Sequence, residues 1–63
     1  MFIVRGTNLV GFQSFACGTT EQSLEKVLEL IWRGFQDISV TDPKGRRFTA
    51  DEFQRAFNDD AFR

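Results

Sequence analysis

The sequence predicts an α+β domain of order β-β-α-β-β-α, with one four-stranded, mainly antiparallel sheet and two helices packed on one face. Three observations carry this expectation. The chain starts with two β-prone apolar stretches separated by turn residues. Apolar residues then recur at helical spacing between residues 20 and 33. Finally, an alternating stretch, a Pro-Gly turn and a capping box follow one another from Asp37 to Glu52. At 63 residues there is room for one domain, spanning 1–63.

The elements follow in order. Phe2-Ile3-Val4-Arg5 reads as a strand, Gly6-Thr7-Asn8 as a turn, and Leu9 to Cys17 as the returning strand. Gly11 lies inside that second strand and marks a bulge or an extension of the turn. Gly18-Thr19-Thr20 ends it. Thr19, with Gln22 three residues on, has capping-box spacing, and Glu21 and Glu25 suit the positive end of a helix dipole. Leu24, Val27, Leu28 and Ile31 fall on one helical face, flanked by Leu30 and Trp32. Gly34 suits the left-handed residue that closes a helix, with Phe35 folding back on Leu30 or Ile31.

Asp37-Ile38-Ser39-Val40-Thr41 alternates as a half-buried strand does. Asp42-Pro43-Lys44-Gly45 has the residues of a type I turn in their places. Arg46-Arg47-Phe48 returns as a short strand. Thr49 and Glu52 form a capping box, and Phe53, Ala56 and Phe57 share a face that Ala61 extends. This second helix is expected to fray through Asn58-Asp59-Asp60.

Composition removes several functions. A chain of about 60 residues buries only roughly 60% of its unfolded surface, so such domains gain from disulfides, a metal or a partner. One cysteine, Cys17, and no histidine exclude an internal disulfide and a Cys/His zinc cage. Association is the remaining aid, and a lone cysteine fits a reducing compartment. No apolar run approaches the roughly 20 residues of a membrane span, and the start has no signal-peptide pattern. A soluble cytoplasmic protein without membrane contact is the expectation.

Catalytic constellations are missing too. Without His the usual general base near neutral pH is absent, and no phosphate-binding glycine loop occurs. Cys17 reads as a small apolar thiol. No cofactor and no metal are expected, and the chain is read as a non-enzyme. Eight basic residues stand against nine acidic ones, which disfavours nucleic-acid binding without forbidding a local patch.

Eight Phe, one Trp and no Tyr leave the aromatic residues as the functional signal. In the second hairpin, Ile38, Val40 and Phe48 separate from Ser39, Thr41 and Arg47. In the first hairpin both faces look apolar. Either a bulge at Gly11 re-aims its side chains, or a partner or twin subunit buries a second face. Phe12 and Phe15, three residues apart, point to opposite faces of a regular strand. The expected function is therefore a small interaction module of adaptor or inhibitor type. It would bind a protein partner or itself, as a homodimer, through Leu9, Phe12, Phe15 and Trp32. The alternative is a nucleic-acid-associated regulator using Lys44, Arg46 and Arg47, with Arg5. The same three residues could also meet an anion or an acidic partner.

Overall fold

The computed structural model describes residues 1–59. The order is β1 (Phe2–Asn8), β2 (Gly11–Cys17), α1 (Thr20–Trp32), β3 (Gln36–Thr41), β4 (Arg47–Thr49) and α2 (Ala50–Asn58). The strands form one sheet in the order β2-β1-β3-β4, every neighbouring pair antiparallel. The expected α+β architecture is therefore present. The expectation for Ala61 and Asp60 lies outside the described residues.

Register fixes which side chains face the helices. Phe2 pairs with Cys17, and Val4 with both Phe15 and Val40; Val40 in turn pairs with Phe48. These residues share the helix-facing side, because side chains alternate along a strand. Together with Val27, Leu30, Phe35 and Phe53 they make the core. Phe53 has no exposed surface, and the rings of Phe2 and Phe48 stand edge-on to it, each with its centroid 6.2 Å away. Such edge-to-face pairs add to the area burial of aromatic cores. The opposite side of the sheet carries Ile3, Arg5, Thr7, Phe12, Ser14, Ala16, Ser39, Thr41, Arg47 and Thr49, with no helix over it among the described residues.

α1 begins as expected: the Thr19 hydroxyl accepts from the Gln22 amide at 3.1 Å. It ends in a Schellman motif. The Gly34 amide donates to the Ile31 carbonyl and the Phe35 amide to that of Leu30, with Gly34 at φ 84°. Its buried face departs from expectation. Ser23, Val27 and Leu30 are buried, whereas Leu28 and Ile31 are 48% and 47% exposed. Period alone admits two overlapping apolar stripes here, since the helix is apolar over more than one face. The choice falls on the stripe containing Ser23, a small residue whose hydroxyl donates to the Thr19 carbonyl at 2.8 Å and so needs no water.

The first turn also departs from expectation. Gly6-Thr7-Asn8 belong to β1, and the loop is Leu9-Val10. Asn8 makes it: its side-chain oxygen accepts from the Val10 and Gly11 amides at 3.0 and 3.1 Å. Gly11, at φ 138°, absorbs the backbone reversal. Register from Phe2–Cys17 to Asn8–Gly11 is unbroken, so no bulge re-aims the side chains of this hairpin. The irregularity sits between β1 and β3 instead, where Arg5 opposes Ser39 but Thr7 opposes Gln36. The extra residue places Asp37 at φ 53°, the left-handed region that Asp tolerates better than most residues.

β3 and β4 are joined by the expected type I turn, closed by a Gly45 amide to Asp42 carbonyl bond of 3.0 Å. Gly45 follows at φ 87°. Thr49 and Glu52 complete a reciprocal capping box at 2.9 and 3.1 Å.

Candidate functional site

The first hairpin presents its apolar residues in three directions. The Asn8-centred turn pushes Leu9 and Val10 outward, and Leu9 is 107% exposed. Phe12, opposite Thr7, lies on the open side of the sheet at 65% exposure, with the Arg5 guanidinium 5.7 Å from its ring centroid. Arg5 itself keeps a buried Nε without a hydrogen-bond partner among the described residues. Phe15, opposite Val4, turns to the helix side, half-buried against the core, with the Lys26 ammonium 4.8 Å from its centroid. The two rings thus take opposite faces, as their spacing implies. They nevertheless flank one backbone edge, the outer edge of β2.

Trp32 stands on the outer side of α1 at 89% exposure, beside a shallow groove it lines with Glu25, Leu28, Glu29 and Arg33. Leu9 and Gly34 line a second depression, with Thr7, Asn8 and Gln36. The hairpin tip and the end of α1 therefore lie at the same end of the molecule. Of the four residues expected to meet a partner, Leu9 and Trp32 share this end, Phe12 lies on the open face, and Phe15 is largely committed to the core. Val10 and Leu28 join the exposed apolar surface without having been expected to. The Asn-x-x-Gly frame around Leu9-Val10 is the signal that could have exposed Val10.

The helix groove is electrostatically mixed. Glu29 pairs with Lys26 at 3.2 Å and with Arg33 at 3.3 Å. The Lys26 hydrogen bond and charge, with a smaller contribution from Arg33, hold the Glu29 carboxyl below its ordinary range. Arg55 and Asp51 form a further exposed pair at 3.0 Å. Exposed pairs of this kind contribute little to stability and fade with salt.

The basic trio divides. Arg46 donates from its backbone amide and its Nε to the two carboxylate oxygens of Asp42 at 2.8 and 2.9 Å, and lies 5.6 Å from the Phe48 ring centroid. Of the three residues expected to meet an anion or a nucleic acid, Arg46 is instead engaged within its own turn. A nearly buried aspartate in the turn needs a cation, and Arg46 supplies it. Arg46 also lies outside β4, which starts at Arg47. Arg47 pairs with Thr41 on the open face, and Lys44 is exposed in the turn, so the three do not converge.

Asp42 is the clearest pH-sensitive group. Burial raises its pKa, but hydrogen bonds from the Arg46 backbone and side chain and from the Lys44 backbone outweigh this. The net result lies below the ordinary value of 3.8. The folded state thus binds fewer protons than the unfolded chain. The resulting stabilisation is present above pH 3.8 and is lost as pH falls through the lower folded value. Thermal melts across the acidic range are expected to show a fall in wild-type stability that is shallower in Asp42→Asn. Parallel curves for the two proteins would assign the acid sensitivity elsewhere.

No helix among the described residues is long and apolar enough to cross a membrane. Compared with protein-family models, with curated proteins and with solved structures, the chain has no significant match.

Proposed function

We propose that the chain is a small non-catalytic interaction module that binds a protein through the first hairpin and the adjoining end of α1. The observation that carries this reading is the exposure of Leu9 and Val10 in the turn and of Phe12 just after it on β2, with Trp32 exposed at the same end as Leu9. Scattered apolar residues are ordinary on surfaces, but a cluster of large ones marks contact sites. Trp is moreover enriched at the energetic centres of interfaces. The absence of His and the commitment of Asp42 to its turn support the non-catalytic part.

The test is affinity capture quantified against variants. Wild-type protein, Leu9→Asp, Phe12→Asp and Trp32→Ala are compared for what each retains. Loss of at least about tenfold in a retained protein, with unchanged helical circular dichroism, is expected from truncating interface centres of this kind. Equal capture by all four proteins would remove this surface from consideration. The nucleic-acid reading ranks second, because Arg46 is held by Asp42 and only Arg5 and Arg47 share the open face.

A further inference from the structure

The two edges of the sheet are treated differently. β4 is three residues long, follows a Pro-containing turn, is preceded by Arg46 and starts with Arg47. Short length, proline and charge are the devices that keep an edge from pairing with another chain. β2 has none of them. It is seven residues long, pairs with β1 in unbroken register, and lies within a stretch from Gly6 to Thr20 without a charged side chain or a proline. Among the described residues no strand borders its outer side. α1 packs chiefly over β1 and β3 and meets β2 mainly where Lys26 covers Phe15.

We infer that this edge is occupied by a second copy of the chain. β2 of one molecule pairs antiparallel with β2 of the other about a two-fold axis near Ser14, joining two four-stranded sheets into one. The inference rests on the protein-interaction reading and names its partner. A two-fold axis sets each residue against its own surroundings, so a charged edge would repel itself; β2 carries no charge. Centring on Ser14 sets Phe12 against Ala16 of the second copy, and Phe15 against Gln13. Each ring then meets a smaller or flexible neighbour rather than another ring. The pairing also gives both rings a role: an added strand touches Phe12 on the open face and Phe15 on the helix face. This accounts for a strand that is apolar on both sides without a bulge.

Sedimentation equilibrium tests this. Wild type is expected at twice the 7.3 kDa chain mass. Ser14→Lys and Ser14→Glu, at an exposed position, each place like charges opposite one another and are expected to weaken dimerisation at least about tenfold. Mixed together they should restore a one-to-one dimer, which a merely destabilised monomer would not do. Ala16→Asp, also exposed, sets a carboxylate against the negative face of the Phe12 ring of the second copy and serves as the second variant should Ser14 tolerate no charge. A dimer unaffected by these charges would overturn the inference, and so would a wild type that is monomeric at millimolar concentration. If that monomer still captured another protein in a Phe12-dependent manner, the edge would belong to a foreign strand and the proposed function would stand. A monomer without such capture would overturn both.

Discussion

Phe53→Ala is expected to remove about half or more of the protein's stability at room temperature. Phe53 has no exposed surface, and the rings of Phe2 and Phe48 pack against it from the first and last strands. Removing a buried Phe ring costs about 3–5 kcal/mol, part of it as unfilled space. At roughly 0.05–0.15 kcal/mol per residue, a chain of this length has about 3–9 kcal/mol in all. The substitution therefore removes most of what holds α2 to the sheet. Phe53→Leu, which keeps much of the volume, is expected to remain folded with a lower midpoint. Urea unfolding at one fixed protein concentration measures both, because any association would make apparent stability concentration-dependent. A Phe53→Ala protein with wild-type midpoint would show that the core is built elsewhere.

The second large effect is expected at Gly6. A Cβ at this position would stand 3.1 Å from the Phe35 ring and 3.4 Å from Ile38. Phe35 cannot readily retreat, since it is buried and its amide is bonded to Leu30 at the end of α1. Gly6→Val adds two further methyl groups to that contact and is expected to cost about 2–3 kcal/mol, the upper range for overpacking. Gly6→Ala should cost far less, because restricting the unfolded chain returns about 0.4–1 kcal/mol. A Gly6→Val midpoint equal to wild type would mean that Phe35 and Ile38 have room to move.

Gly6 also shows where sequence reasoning stops. Gly-Thr-Asn has the composition of a turn, and nothing in its neighbours says that a ring from residue 35 will lie against it. The elements with local causes were legible: the Thr19 and Thr49 caps, the Gly34 closure, the Asp42–Gly45 turn and the order of strands and helices. Misread features depend on distant contacts. Leu30 and Ser23 face the core in place of Leu28 and Ile31 because the sheet selects one of two admissible stripes. Arg46 read as free to meet an anion because the burial of Asp42 is a property of the folded hairpin. Of the candidate surface, Leu9, Phe12 and Trp32 were legible as apolar residues with no local reason to be buried. Spacing put Phe12 and Phe15 on opposite faces, but only the pairing of Phe15 with Val4 shows which of them meets the core.

The strand order has a consequence for how the molecule comes apart. Each hairpin, β1–β2 and β3–β4, pairs residues close in sequence, and α1 links them. β1 and β3 form the only strand pair in the described residues that joins the two halves, and the Asp37 bulge interrupts it. Closing the α1-containing connection costs more chain entropy than closing either hairpin. The seam between β1 and β3 is thus the late, slow step of assembly and the first line along which the halves part. Native-state hydrogen exchange would show it as earlier exchange of β1–β3 amides than of those within either hairpin. Phe2 and Phe53, meeting across that division, act as its clasp.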